Sequence, residues 1–500
     1  MHSSITGQYL TRYQRLAAAG EGGTDGRGAG LLPVTGAQRR FVLVRAMDPA
    51  GRPDTVPMFF AFPRGTVDTG RLRAAAQYIA AIHPALRSQA HVVRGTPVLR
   101  PEEPSIPVET VSCAPGEDVH DALRRTMGAW SAEGPPLRLF LARGNAEREL
   151  PGFRDFHEQR DLREHRGLPE QRDLPEQRDF PAQPDFPAQP DFPAQPDFSA
   201  QRDGGDRAGP AEEVLAVVLD HAACDGQSLA RIVEELGAAY RDRLGPADAS
   251  PAEVAAELAA YREAVLLQLD AEHRASSPDA LAYWGERLRT VHERAPKPSE
   301  RRAAGRVLPT GAADALLRAD QSGLPFSSLL DACRAAARVL YGTGHVPAVG
   351  YPWGGRPAAA APVLGCFLNT VAFPAATDAL RPAPELTATQ WWDDLDRADT
   401  PFDDVVRAAR AAGSRWSGQL DGLLTVDDAR RRPALRLGGT TGREVQVDGR
   451  AVRAPFAVSV VQGPEVQLRM VWDRAVLDDD LAQDAFAALC GELRTALPVG

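Results

Sequence analysis

Residues 213–236 read EVLAVVLDHAACDGQSLARIVEEL, and three patterns follow one another there without a gap. Val214 to Leu219 is an unbroken apolar run, β-branched in part, as a strand buried on both faces requires. Polar residues then begin abruptly, with Asp220, His221, Asp225 and Gly226 inside seven positions. Leu229, Ile232, Val233 and Leu236 recur at the i, i+3, i+4, i+7 spacing of one helix face. The polar cluster therefore sits on a strand-to-helix turn. Asp225 stands where an N-terminal capping residue would, and its carboxylate also suits the helix dipole. Such a turn holds a side chain rigidly and leaves it reachable. An imidazole there, with an ordinary pKa of ~6.5, is suited to act as a general base near neutrality. The plainer reading of His221 is a histidine that hydrogen-bonds a carbonyl at a strand end.

The chain of 500 residues is longer than one core usually organises, so two lobes with a cleft are expected. A hydrophobic content of 43% with 25% charged residues fits a soluble globular protein. A formal net charge of -10 and the lack of a basic stripe exclude phosphate-backbone recognition, hence no nucleic-acid partner. The N-terminus MHSSITGQYLTRYQ lacks the basic flank and apolar core of a signal peptide. No apolar run approaches the ~20 residues that span a bilayer, so no membrane partner and a cytoplasmic location are expected. Cys113, Cys224, Cys333, Cys366 and Cys490 show no CxxC or Cys/His spacing, so no metal site is expected and the thiols are read as reduced. Cys224, inside the turn, is either a nucleophile or a small buried filler.

Along the chain, residues 1–30 form a flexible leader in this reading, with Gly20 to Gly30 (GEGGTDGRGAG) too poorly flanked to be a phosphate loop. Residues 31–245 make an N-terminal lobe and 246–500 a C-terminal one. Val56–Phe62, Val92–Leu99 and Pro136–Ala142 read as strands. Leu72–Ile82, Pro251–Leu269 and Ser327–Tyr341 read as helices, and Phe456–Leu497 as two strands and a closing helix. Trp391, Trp392 and Trp472 read as core or lobe-interface residues. Between about 148 and 210 a hexad repeats, with Asp155, Asp161, Asp173, Asp179, Asp185, Asp191 and Asp197 in step and Gly167 in place of one. Its prolines, among them Pro181, Pro184 and Pro187, remove backbone donors, so disorder is expected over a β-helix.

The spacing H-x-x-x-D-G at His221, Asp225 and Gly226, after a buried strand, resembles the HHxxxDG signature of the condensation-domain superfamily of nonribosomal peptide synthetases, which includes chloramphenicol acetyltransferase. Other segments resemble the family's in the same order. They are LLPVTGAQRRFVL (Leu31–Leu43), with Gly36, Ala37, Gln38 and Arg39; IHPALRS, with His83, Leu86 and Arg87; LAYWGERL; the Gly355, Arg356, Gly365, Phe367, Asn369, Thr370 series; and TPFDDVVRAARA.

The resemblance implies an α/β (α+β) fold of two chloramphenicol acetyltransferase-like lobes in a V, each a mixed sheet flanked by helices. It implies acyl transfer from a carrier-protein-bound acyl or aminoacyl thioester to a small-molecule amine or hydroxyl. His221 would handle the nucleophile's proton, and the Gly226 N–H would help hold the oxyanion. No cofactor is bound in that scheme, the thioester arriving on the phosphopantetheine of a peptidyl or acyl carrier protein acting in trans. It also implies a structural Arg87–Asp225 salt bridge and a substrate-facing Asn369, the latter set against an Asn that only satisfies backbone groups. The first histidine of the signature is Asp220 here, which leaves open a noncatalytic docking module. Transfer from an acyl-CoA to an alcohol differs only in donor. An epimerase of this fold would want the intact double histidine.

Overall fold

Strand β6 (Glu212–Asp220) is buried from Glu213 onward and lies at the centre of a five-stranded sheet in this computed structural model. The structure describes residues 4–21, 30–48, 54–129, 134–144, 212–292, 310–318, 323–342, 344–375, 384–428, 433–450, 452–463 and 465–496. The hexad repeat and residues 22–29 of the glycine-rich stretch lie outside them.

Alternation along β6 divides its side chains between two cores. Leu215, Val217 and Leu219 enter one with Leu72, Ile79 and Leu236, while Val214, Ala216 and Val218 enter the other with Phe59, Ala61 and Leu123. A strand covered on both faces can therefore be apolar throughout. Its neighbours are β1 (Thr55–Pro63) and β5 (Leu137–Arg143), both antiparallel to it. Strand β4 (Val108–Ser112) runs parallel to β5. Helices α1 (Ile5–Glu21), α2 (Gly36–Met47), α3 (Thr69–Ile82), the single turn α4 (Pro84–Arg87), α5 (Val119–Gly128) and α6 (Gly226–Asp242) complete this half with α7 (Pro251–Ala275).

The chain then passes through α8 (Pro278–Arg287) into a six-stranded mixed sheet. Its strands are β7 (Gly311–Arg318), β8 (Ala348–Gly354), β9 (Leu368–Pro374), β10 (Gly422–Asp428), β14 (Phe456–Gln462) and β15 (Glu465–Trp472), in the order β7-β15-β14-β10-β8-β9. Helices Phe326–Tyr341 and Asp479–Ala496 pack on it through Leu329, Leu330, Leu489 and Leu493. Trp472 is buried in this second core, Trp391 packs at its edge and Trp392 is 45% exposed.

Three sequence expectations need correction. The leader 1–30 contains α1, whose Tyr9 and Tyr13 are buried one turn apart. Tyr9 Oη donates to the Pro97 carbonyl (3.2 Å) and accepts from Val34 N–H (2.8 Å), and Tyr13 Oη donates to the Leu31 carbonyl (3.0 Å). Two phenols with their polar ends satisfied anchor the helix where composition alone suggested a free tail. The strand read through Val92–Leu99 is a hairpin of β2 (Ser88–Val93) and β3 (Thr96–Pro101). Arg94 and Gly95 both take positive φ, 50° and 75°, the conformation of the tight turn that matches strand twist. Thirdly, the lobe boundary at 245/246 cuts through the first core. Tyr261, Ala264, Val265 and Leu269 of α7 are buried there, as are Leu435 and Leu437. Leu437 belongs to β11 (Arg436–Leu437), which pairs with β12 (Thr440–Thr441). Strand β13 (Arg443–Glu444) then joins the first sheet beside β1.

His83, between α3 and α4, ties three helices together. It is 1% exposed, with Nε2 2.5 Å from Glu235 Oε2 of α6 and Nδ1 2.9 Å from Glu257 Oε1 of α7. Burial opposes charge on the ring, but the hydrogen bonds to Glu235 and Glu257 outweigh it and raise the pKa. Both ring nitrogens face carboxylate oxygens, an arrangement that favours the charged ring. A raised folded pKa supplies stability that is complete below the unfolded value of about 6.5 and is lost as pH climbs through the folded value. Urea titrations of wild type and His83→Gln at pH 6 and pH 9 check this. The variant is expected to lose about 2 kcal/mol at pH 6, the scale of hydrogen bonds to charged groups, and less at pH 9.

Candidate functional site

Asp225 is the N-cap of α6, and its Oδ1 accepts from the Ser228 N–H at 2.9 Å. The same carboxylate reaches into the second half of the chain. Arg356 Nη1 lies 3.0 Å from Oδ2 and 3.2 Å from Oδ1, and the Phe367 N–H donates to Oδ2 at 3.1 Å. Arg356 also donates to Ser228 Oγ (2.9 Å), Gln227 Oε1 (3.0 Å) and the Val363 carbonyl (2.6 Å). Side-chain exposure is 8% for Arg356 and 1% for Asp225. Gly365 takes φ 153°, and a Cβ there would meet Phe367 at 2.8 Å, which accounts for a glycine between these contacts. The turn at 220–228 and the segment 356–367 are thus one hydrogen-bonded unit.

The expected Arg87–Asp225 bridge is not formed. Arg87 Nη1 donates to the Glu102 carbonyl at 3.1 Å beside the β2–β3 hairpin, and Arg356 occupies the place assigned to it. Of the two roles left open for Asn369, the structure shows the one that satisfies backbone groups. Its Nδ2 donates to the carbonyls of Ala398 (2.7 Å) and Thr400 (2.6 Å), and its Oδ1 accepts from the Phe402 N–H (3.2 Å). Both ends of the amide are spent on holding the loop before helix Phe402–Ala411.

His221 opens a single 3-10 turn (His221–Ala223) directly after β6, and its N–H donates to the Asp54 carbonyl at 2.9 Å. The residue as a whole is of intermediate burial. Phe41 of α2 stacks on it, with centroids 4.8 Å apart and planes at 26°. Nδ1 is 4.0 Å from Cys366 Sγ. Burial, followed by the Arg453 guanidinium, lowers the imidazole pKa to about 3, so the ring is neutral throughout the physiological range. Arg453 is held at 2.8 Å by Asp54 Oδ1 and lies over Phe41, 5.7 Å from the ring centroid. Asp220 caps the 3-10 turn, accepting from the Ala222 N–H at 2.9 Å, and pairs with Arg45 of α2. Gly226 is exposed at the first turn of α6, and a Cβ there would meet nothing within 4 Å. Open space therefore adjoins the histidine turn.

Burial raises the thiol pKa of Cys224 well above its ordinary value and that of Cys366 to about 12. Cys224 is 0% exposed and fills space rather than acting as a nucleophile. Among the described residues no group of three or more His, Cys, Asp or Glu could hold a metal ion. Nor is any described helix long and apolar enough to cross a membrane.

Sequence reasoning missed what α2 and Arg453 contribute. Gln38 Nε2 donates to the Ala222 carbonyl at 2.8 Å, and Thr35 Oγ1 donates to the Cys366 carbonyl at 2.8 Å. With Phe41 and Arg45, these residues place α2 directly on the turn. Spacing within residues 36–47 could have grouped Gln38, Phe41 and Arg45 on one stripe, but nothing local points to their target. Arg453, more than two hundred positions away, carries no signal at all.

Comparison with known proteins agrees with this architecture. No family model matches the chain. It is 38% identical over 168 residues to the AMB antimetabolite synthetase AmbE of Pseudomonas aeruginosa, covering 31% of this chain and 8% of that protein. It is 26% identical over 272 residues to the probable non-canonical nonribosomal peptide synthetase CymA of Salinispora arenicola, covering 51% of this chain and 4% of that one. The chain thus matches only a small part of either relative. Among solved structures it is similar to the X-domain in its complex with OxyB from teicoplanin biosynthesis, with TM-score 0.58, 16% identity and 93% of each chain covered. It is similar to the first condensation domain of the calcium-dependent antibiotic synthetase, with TM-score 0.58, 14% identity and 94% and 96% covered. The epimerization domain from the third module of tyrocidine synthetase B gives TM-score 0.54 at 12% identity, with 93% and 98% covered. The chain has the fold of the condensation domains of nonribosomal peptide synthetases, with its two mixed sheets as their two chloramphenicol acetyltransferase-like lobes.

The ion-pair geometry makes unequal demands on the two arginines. Arg356→Ala leaves a buried carboxylate uncompensated and is expected to cost about 3 kcal/mol. Arg87→Ala removes one hydrogen bond to a carbonyl and is expected to cost about 1 kcal/mol. Chemical denaturation of the two variants measures the difference, and equal losses would contradict the assignment of Arg356 to Asp225.

Proposed function

We propose that this chain is a condensation-type acyltransferase that joins a carrier-bound acyl or aminoacyl thioester to an amine or hydroxyl nucleophile, giving an amide or ester in nonribosomal peptide or hybrid natural-product biosynthesis. The observation that carries the reading is His221, fixed by its turn at the end of a buried strand and followed by the exposed first residue of α6, Gly226. The donor is a thioester on the phosphopantetheine of a carrier protein, and the acceptor is a small molecule or a second carrier-bound group.

In the first step the nucleophile's nitrogen or oxygen adds to the thioester carbonyl, and the carbonyl electron pair moves onto oxygen. In this scheme the Gly226 N–H, at the positive end of α6, would help hold that developing charge. Collapse of the intermediate breaks the C–S bond and expels the pantetheine thiolate, which takes up the proton the nucleophile has lost. An imidazole with a pKa near 3 is a weak base. Its contribution is to accept a hydrogen bond from the attacking N–H or O–H, orient the lone pair, and receive the proton once the nucleophile has become acidic in the intermediate. Nothing in this scheme requires an acyl-enzyme, which accords with two cysteines held as thiols.

The stack of Phe41 on His221 favours one second reading, a noncatalytic module that docks a carrier protein or a tailoring enzyme. Incubating phosphopantetheinylated, acyl-loaded carrier proteins with the chain and a panel of amines and alcohols, followed by intact-mass analysis, separates the two. Acyltransfer predicts nucleophile-dependent loss of the acyl load. His221→Ala should slow it by about 100-fold or more, the low end of the proton-transfer contribution. Unchanged loads across the panel with retained carrier binding would favour the docking module. An acyl-CoA arm in the same assay tests the simpler donor.

The electrostatics also set the pH profile. If His221 works from its neutral form, kcat/KM has no acid limb from this residue near pH 6.5, because protonation waits until about pH 3. A fall centred between pH 6 and 7 that His221→Ala abolishes would contradict this.

A further inference from the structure

Asp220 does two things at once. One oxygen accepts from the Ala222 N–H at 2.9 Å and caps the turn, and the other takes the guanidinium of Arg45. Arg45 stands four residues after Phe41 on α2, so the two share one stripe of the helix. Phe41 in turn lies flat on the imidazole of His221, the residue next to Asp220. The contacts form a closed circuit: His221, Asp220, Arg45, Phe41 and back to His221. The Asp220–Arg45 pair is partly sheltered, with side-chain exposures of 10% and 23%, and bulk solvent screens it less than a surface pair. A histidine at 220, largely neutral near pH 7, would leave Arg45 without an anion.

We propose that Asp220 and Arg45 are positioning residues for His221: their ion pair pins α2 so that Phe41 stays stacked on the imidazole and sets how much of the ring an incoming group can reach. The proposal rests on the reading of His221 as the reacting group, but its test needs no turnover, so the two fail separately. Other groups also face the ring or its turn. They are Cys366 at Nδ1, the Asp54 carbonyl on the His221 N–H, Arg453 with its Asp54 partner, and Asp225 within the same turn. Gln38, through the Ala222 carbonyl, ties α2 to the turn just before Phe41, and the Arg45–Asp220 pair does so one helical turn after it.

The pair predicts a sign that direct electrostatics does not. Asp220→Asn retains an oxygen for the Ala222 N–H but loses the charge. Acting on the imidazole directly, loss of an anion, with Arg45 left unneutralised, would push the His221 pKa further down. Acting through Phe41, the same substitution frees α2, lets water reach the ring and moves the pKa up toward the ordinary histidine range. The experiment uses the full chain, with His221 ring resonances assigned by their loss in His221→Gln. Its titration is followed by proton–carbon NMR, and its accessibility by the rate of diethylpyrocarbonate modification read by peptide mass spectrometry.

Phe41→Ala is expected to raise the pKa and to speed modification by about tenfold, the change that follows when a site accessible in about a tenth of the population becomes fully open. Asp220→Asn and Arg45→Met should move both readouts in the same direction. Asp220→Asn should add nothing in the Phe41→Ala background, because its action runs through that ring. The proposal is overturned if Asp220→Asn lowers the pKa, if both latch variants leave titration and modification at wild-type values while Phe41→Ala changes them, or if the effects add. Arg45→Met, at a partly exposed helix position, keeps the test decisive should Asp220→Asn fail to fold; thermal unfolding identifies that case.

Discussion

The carboxylate of Asp225 is asked to satisfy a helix terminus, a buried arginine and a backbone amide from the other half of the chain, and the rest of the site depends on its doing all three. Placing both Arg356 and Asp225 out of water costs several kcal/mol before any attraction is counted. That cost is offset only because each lone pair and each N–H finds a partner: Ser228, Phe367, Gln227, Val363 and Gly365 complete the shell. A pair built in this way adds little net stability over an apolar substitute, but it permits one register and no other. It fixes the 363–367 segment against the first turn of α6. By doing so it brings Cys366 up to the imidazole.

The same geometry explains why the imidazole is so weakly basic. Among the described residues His221 has no carboxylate partner, Asp225 being committed to Arg356 and Asp220 to Arg45. Burial disfavours protonation, and the guanidinium of Arg453, although paired with Asp54, works in the same direction. His83 is the instructive contrast. It is buried more deeply, yet two glutamates on its two nitrogens pull the pKa the opposite way. Burial alone does not decide a histidine's charge; the allocation of nearby carboxylates does. In the first core the acids are given to the histidine, and at the turn they are given to arginines.

What could be read from the chain follows the range of each signal. The strand, the turn, the cap and the helix at 213–236 were legible because period and capping are local, and β6, Asp225 and α6 occur where those patterns put them. Helix Phe326–Tyr341 was legible for the same reason. The Arg94–Gly95 turn was passed over because a two-residue turn without Asn or Asp hardly interrupts an apolar run. Helix α1 was hidden by the glycines after it, although Tyr9 and Tyr13 already mark a face. The partner of Asp225 was a different kind of miss. Two arginines, Arg87 and Arg356, each stand in a segment with family-like spacing, and no local rule says which guanidinium comes within 3 Å after 130 or more residues of intervening chain. The choice between the two roles of Asn369 was likewise undecidable locally, since it depends on where the carbonyls of Ala398 and Thr400 arrive.

Helix α2 is where these long-range choices converge. Gln38, Phe41 and Arg45, at i, i+3 and i+7, meet the Ala222 carbonyl, the His221 ring and the Asp220 carboxylate in succession. Three consecutive positions of the turn are thus matched along one helical stripe. At its N-terminus α2 is fixed independently, by the Thr35–Gln38 capping box and by Glu272 accepting from the Gly36 N–H at 2.9 Å. A helix held rigidly at one end moves most at the other, and the other end is where Arg45 meets Asp220. The Asp220–Arg45 pair therefore acts at the end of α2 farthest from its capped terminus, where a small displacement would be felt most at Phe41.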